Sequence, residues 1–181
     1  MFLPTPIKQS KKPPLGHYFM NLSDFNKQAQ RLKKENQSFF RRLSLRPPKN
    51  LDEIFHEEHE AVFKKTDCLS CANCCKTTSP IFYQRDVERA AKVVKMKPGA
   101  FMEKYLREDE DNDLVLQQAP CPFLNSDNFC SIYDDRPNAC REYPHTDRKK
   151  MHQLLDLTFK NTLVCPAVLQ ITENIKKKLV V

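Results

Sequence analysis

Glycine is nearly missing from this chain, with two among 181 residues. Left-handed backbone is freely open only to glycine, so a fold built on many tight turns of positive φ is not expected. There is no glycine-rich loop to cradle a nucleotide phosphate. Long apolar runs are missing too. Mean hydropathy is −0.65, and nothing in the sequence spans a membrane. The start, Met1 to Pro6, is cut by Pro4 and Pro6 and leads into Lys8, Lys11 and Lys12. It lacks the charged start, apolar core and small-residue cleavage site of a secretory signal. A cytoplasmic location is the resulting expectation. No internal repeat indicates a solenoid.

What the chain does have is cysteine, eight residues in all. In a reducing compartment these are thiols, not a disulfide framework. Their density also lies below that of disulfide-rich mini-proteins. Clustered cytosolic cysteines point to metal or redox chemistry.

The formal net charge is +7. Basic residues run from Arg31 to Arg46, at Lys64-Lys65, at Arg148 to Lys150 and at Lys176 to Lys178. Acidic runs, Asp52 to Glu60 and Glu108 to Asp113, interrupt them. Such a balance permits contact with nucleic acid or acidic proteins without identifying one. Solvated helix faces are the simplest reading.

The length suits one domain with a terminal extension. Four prolines and several lysines make residues 1–20 a flexible basic arm. Ser23 is a good N-cap, and Phe25, Ala29, Leu32, Phe39 and Leu43 then recur at helical spacing up to Pro47. Asn50 with Glu53 resembles a capping box opening a second helix, with Leu51, Ile54, Phe55, Ala61 and Val62 on its apolar face. Residues 21–66 are therefore expected as a helical hairpin. Periodicity stops at Asp67, and Cys68 to Ser79 reads as a loop. Helices are expected over Arg85–Lys95, from Pro98 through Leu106, over Asp147–Phe159 and from Pro166 to about Leu179. Pro137 opens a short helical turn. Leu114–Leu116 and Phe129–Tyr133 read as short strands, the second behind the turn residues Asn125 to Asn128. The expected fold class is mainly α, a single domain with a loop-rich, cysteine-bearing centre and one short β-hairpin. Residues 67–181 form its cysteine-cluster metal-binding part.

Cys68-x-x-Cys71-x-x-Cys74-Cys75 is the strongest signal. A two-residue spacer lets one turn aim two thiolates at a single cation. Three such positions in a row resemble the ferredoxin-type run, whose last ligand is often a distant Cys-Pro. This chain has Cys121-Pro122 and Cys165-Pro166. Cys121 and Cys130 bracket the second expected turn. Cys140 lies near a helical turn, and Cys165 directly precedes a helix start, a place that stabilises thiolates. The eight either fill two tetrahedral sites or give four to one cluster and leave the rest structural. An isolated cysteine would be read as a buried apolar thiol. All eight are candidate metal ligands.

In order along the chain come Cys68-x-x-Cys71-x-x-Cys74-Cys75, Cys121-Pro122-Phe123-Leu124, Cys130-Ser131-Ile132-Tyr133 and Arg136-Pro137-x-x-Cys140-Arg141-x-Tyr143-Pro144. Together these resemble the YkgJ family of cysteine-cluster proteins, the CxxCxxCC zinc- or iron-chelating domain, over about Asp67 to Cys165. The resemblance implies bound zinc or iron, with an iron–sulfur cluster as one form. The motifs also resemble the cysteine-rich part of flagellin lysine N-methylases, which are longer. No nucleotide loop for S-adenosylmethionine accompanies them in this chain.

Weaker signals have blander readings. His56 and His59 share a helix face but stand at i, i+3, not the i+4 of H-E-x-x-H, and read as solvated. Asp109-x-Asp111-x-Asp113 departs from a calcium loop, with Leu114 in place of glycine and Pro120 in place of the bidentate glutamate. His145 reads as surface or structural before ligand. Arg136 and Arg141 either offset thiolate charge or pair with Asp134, Asp135 or Glu142.

The expected function is an intracellular metal-binding protein whose cofactor is zinc, iron or an iron–sulfur cluster. An iron–sulfur redox enzyme or electron carrier is the alternative. A zinc-stabilised nucleic-acid module is a further one, weakened because no aromatic-and-basic motif is present. The expected partner is a metal ion, with no membrane and no identified protein partner.

Overall fold

The computed structural model describes residues 21–179. The arm expected over residues 1–20 lies outside them. The described chain is mainly helical, with one antiparallel two-stranded hairpin.

Helix α1 (Leu22–Leu45) buries Phe25, Ala29, Phe39, Phe40 and Leu43, the stripe that the periodicity marked. Its cap is Asn21 and not Ser23: Asn21 Oδ1 accepts the Ser23 N–H at 2.9 Å. Helix α2 (Leu51–Phe63) follows, but the expected capping box does not form. Asn50 sits at φ −97°, ψ 26°, not in the extended backbone that lets a cap side chain turn back. Asp52 instead reaches outward, accepting the N–H groups of Lys150 and Met151 at 2.7 and 2.8 Å.

The stretch expected as a loop is two short helical turns, α3 (Cys68–Cys71) and α4 (Asn73–Thr77). Asp67 Oδ1 caps the first by accepting the Leu69 N–H at 3.0 Å. Ala72, at φ 46°, separates the two. With so few residues in each turn, no apolar stripe can reveal them.

Helices α5 (Gln84–Val93) and α6 (Pro98–Tyr105) lie where expected. The hairpin pairs β1 (Leu106–Glu108) with β2 (Leu114–Leu116), so that Leu106 faces Leu116 and Glu108 faces Leu114. Leu114–Leu116 is a strand as expected, but its partner is not Phe129–Tyr133. That segment contributes a single bridge, Cys130 to Leu124. Asp109 decides the pairing: its carboxylate accepts the N–H groups of Asp111 and Asp113, each at 3.0 Å, and Asn112 turns the chain at φ 62°. The acidic run that mimics a calcium loop is thus the hairpin turn.

Helix α7 (Asn138–Glu142) follows Pro137. The helix expected from Asp147 starts later, because Lys150 adopts φ 59° and the Asp52 carboxylate holds the next residues in a 3-10 turn, Met151–Gln153. Helices α8 (Leu155–Asn161) and α9 (Pro166–Lys178) complete the chain. No helix among the described residues is long and apolar enough to cross a membrane.

Two main apolar clusters result. The first joins both ends of the described chain: Phe39, Phe40 and Leu43 of α1, Leu51, Ile54 and Phe55 of α2, Met151, Leu155, and Ile171 and Ile175 of α9. The second gathers Phe82, Val87, Phe101, Leu106, Leu116, Phe123 and Ile132, with Cys121 and Cys130 packed against it. Phe101 and Phe123 stack there with centroids 5.9 Å apart.

Polar contacts dock α2 on α9. Buried Glu58 accepts hydrogen bonds from Asn174 at 2.7 Å and Lys178 at 2.8 Å. Burial alone would raise its carboxyl, but the Lys178 and Asn174 hydrogen bonds and the Lys178 charge outweigh it and hold the group below 4.5. A folded value below the unfolded one adds stability above pH 4.5, and this is lost as pH falls through the folded value. The melting temperature is therefore expected to drop as pH is lowered below about 4.5, and less steeply for Glu58→Gln. Identical acid profiles for the two proteins would contradict this role.

Candidate metal centre

All eight cysteines are free thiols. They lie on four stretches: α3–α4, the turn around Cys121 and Cys130, α7, and the start of α9.

Within the first stretch, Cys68 and Cys71 stand three residues apart on α3 and share a face. Cys74 and Cys75 are consecutive in α4, so their side chains diverge by about 100° around the helix. Their sulfurs are nevertheless 3.9 Å apart.

Two ties position this stretch. Asn73 Nδ2 donates to Val164 O at 2.7 Å, which sets Cys165 against it. On the other side the Cys121 N–H donates to Cys75 O at 2.8 Å. The Leu124–Cys130 bridge and the Ser131 N–H to Phe123 O bond close the turn between Cys121 and Cys130.

Cys140 is placed by a buried ion pair. Asp86 is fully buried and takes Arg89 Nη2 at 2.6 Å, the Tyr83 N–H at 3.1 Å and the Asn138 N–H at 3.2 Å. Arg89 also donates to Arg136 O at 3.1 Å. One carboxylate thus joins α5 to the start of α7. Nothing in the sequence marked Asp86 or Arg89, since an aspartate in the first turn of a helix usually faces solvent.

Arg136 and Arg141 serve mainly the backbone. Arg136 donates to Tyr133 O and lies over the Tyr133 ring, 3.7 Å from its centroid. Arg141 donates to Asp134 O and Arg136 O. The Arg136 charge also favours the thiolates of Cys130 and Cys140. Of the two expected roles, Arg136 offsets thiolate charge, while the guanidinium hydrogen bonds of Arg136 and Arg141 go to carbonyls and not to the carboxylates of Asp134, Asp135 or Glu142.

The thiols perturb one another strongly. Burial first, then Cys165, Cys71, Asp67 and Cys75, push Cys68 up to about 12. Burial first, then Cys75, Cys121 and Cys130, push Cys140 up to about 12 against the Arg136 charge. Burial raises Cys121 to about 11, with Cys130 and Cys75 adding to it. Cys165 rises to about 11 through burial, opposed by the N–H groups of Val168 and Ala167 at the start of α9 and by Tyr143. The helix start thus favours this thiolate, as its position before Pro166 implied. Cys74 and Cys75 share one hydrogen bond: Cys74 is raised by it, and Cys75 is lowered to about 7 by it, with help from Lys76. Thiols gathered away from water oppose each other's ionisation, and a soft cation removes that opposition.

The histidines stand apart. His56 Nε2 donates to Asp147 O at 2.7 Å. His59 Nδ1 and the buried Thr146 hydroxyl share a hydrogen bond of 2.8 Å. The face read as solvated therefore docks α2 onto the segment after α7. His145 has Glu142, Arg148 and Asp147 as its charged neighbours.

Eight thiols fit the donor chemistry of zinc or iron, which favour sulfur ligands. Among the described residues, no group of three or more Cys, His, Asp or Glu side chains is already arranged to hold an ion. This defines a thiol-rich class of protein. Comparison with known families matches residues 67–162 to CxxCxxCC, described as a putative zinc- or iron-chelating domain. The match covers more than half of the chain, and the chain belongs to that family. No curated protein and no solved structure matches it.

Replacing Asp86 by Ala would leave the Arg89 guanidinium and two N–H groups without their acceptor. A loss of about 3 kcal/mol is expected, the low end for a broken buried pair, because Arg89 is partly exposed. Denaturant midpoints measure it, and a loss under about 1 kcal/mol would count against the assignment.

Proposed function

We propose that this chain is a metal-holding protein that binds zinc or iron through Cys68, Cys71, Cys74, Cys75, Cys121, Cys130, Cys140 and Cys165. What supports this reading is that hydrogen bonds tie the α3–α4 stretch to Cys121 and to the residue before Cys165, while Cys140 has Cys75, Cys121 and Cys130 as electrostatic neighbours. Bound as thiolates, they would supply sulfur to a soft cation, which would neutralise a cluster that otherwise repels itself.

Within this reading the metal helps to hold the fold. Thiolate centres filled by four protein ligands leave no open position, which is the mark of a structural site. A cytoplasmic setting accords with eight free thiols.

One observation favours an iron–sulfur form. Cys165, followed by Pro166, is an electrostatic neighbour of Cys68, Cys71 and Cys74. Three cysteines of one run plus a remote Cys-Pro is the ferredoxin-type ligand pattern. A redox or electron-carrying role would follow from a cluster there.

Anaerobic purification, metal analysis and absorption spectroscopy test the proposal. Retained zinc or iron is expected. A colourless zinc protein selects the zinc form, and a brown protein with acid-labile sulfide selects the cluster. Protein that holds neither metal after anaerobic reconstitution would overturn the reading.

A further inference from the structure

Helix α1 lies outside the residues matched to the family and carries a charge pattern that metal binding does not use. We propose that its solvent face is a docking surface for the phosphate backbone of duplex nucleic acid, centred on Lys27, Arg31, Lys34 and Arg41. This is independent of the metal-holding reading above.

The helix builds the face. Phe25, Ala29, Asn36, Phe39, Phe40 and Leu43 turn one side of α1 into the core. At about 100° per residue, Lys27, Arg31, Lys34 and Arg41 fall on the opposite side, within about 40° of one line. All four are exposed. Arg42 stands beside them and donates to the Ser38 hydroxyl at 2.8 Å. Lys27 to Arg42 covers about 22 Å of helix, over which a duplex offers about a dozen phosphates.

These cations lack a counter-charge. Among the described residues, Lys27, Arg31, Lys34 and Arg41 make no ion pair. The carboxylates of α1 do not serve them. Glu35 is taken by Lys176 of α9, and Asp24 lies in the first turn, where the helix dipole favours it. Asp156 shares a depression with Arg41 but is taken by Lys160 at 2.8 Å. By contrast Lys178, at the seam of α2 and α9, pairs with both Glu57 and Glu58. Lys27 with Arg31 and Arg31 with Lys34 stand at i, i+4 and i, i+3, where like charges oppose the helix. A polyanion laid along the face would relieve that opposition.

The face also narrows the partner. Gln30, Gln37 and Ser38 complete it with hydrogen-bonding groups, and Leu45, at its end, is the one apolar side chain exposed on α1. A protein partner would need aromatic or aliphatic anchors at the centre of the contact. A membrane would need an apolar face to insert, and that of α1 is already in the core. No aromatic is exposed on α1 to stack an unpaired base, which favours a duplex over a single strand. Phosphate contacts carry no base information, so binding is expected to be indifferent to sequence.

Fluorescence anisotropy of full-length, anaerobically purified protein tests this with labelled DNA and RNA duplexes of about 20 base pairs. Binding is expected to fall with salt, log K against log salt having a slope of about −4 for DNA. Lys27→Gln, Arg31→Gln, Lys34→Gln and Arg41→Gln together should lower affinity at least about tenfold at low salt and flatten that slope by about 3. Lys64→Gln, Lys65→Gln, Arg85→Gln and Lys92→Gln remove as many exposed cations elsewhere and should change both far less. No binding of either duplex at about 50 mM salt, or equal losses from the two variants, overturns the proposal. Tighter binding of polyglutamate or of anionic phospholipid vesicles overturns it too, and assigns the face to an acidic protein or a membrane. If the first variant does not fold by circular dichroism, lysine acetylation of wild type replaces it. Bound duplex should protect Lys27 and Lys34 more than Lys64 and Lys92, and equal protection refutes the site. Metal content, measured on the same samples, separates failure of this proposal from failure of the metal-holding reading.

Discussion

The structure depends on crowding thiols against one another, seven of them half-buried and Cys68 exposed. Without a cation this is an unfavourable arrangement. Each thiolate would sit in a poor dielectric and face others like it, and the thiols hold their protons accordingly. With a cation the same crowding becomes complementary. The proximity that hinders ionisation would supply sulfur donors from several directions.

The rest of the fold serves that collection. One apolar cluster binds the two ends of the described chain, and another packs the hairpin against α5 and α6. Between them runs the short α3–α4 stretch. It is tied to the first side through Asn73 and Val164 and to the second through Cys75 and Cys121. Metal held there would cross-link the two clusters through ligands far apart in sequence. A chain with only two glycines nevertheless places Ala72, Asn112, Lys150 and other residues in left-handed backbone. Ala72 does so where α3 ends, its N–H closing that turn on Cys68 O.

Much of this was legible in the sequence. The long stripes of α1 and α2, Pro98 at the start of α6 and Pro166 at the start of α9 placed the main helices. The cysteine spacing and the order of the motifs marked the family. What escaped was held by polar contacts that no spacing in the sequence marks. Asp52 delays the start of one expected helix by capping a turn almost a hundred residues away. Asp109 selects the strand partner, and Asp86 with Arg89 places Cys140. Each looks like an ordinary surface charge when its partner is unknown.

The central claim is that thiolates alone surround the metal. X-ray absorption at the metal edge of anaerobically prepared full-length protein tests it most directly. A first shell of sulfur only, about four atoms at about 2.3 Å for zinc, is the expected result. A first shell dominated by nitrogen or oxygen would contradict the account.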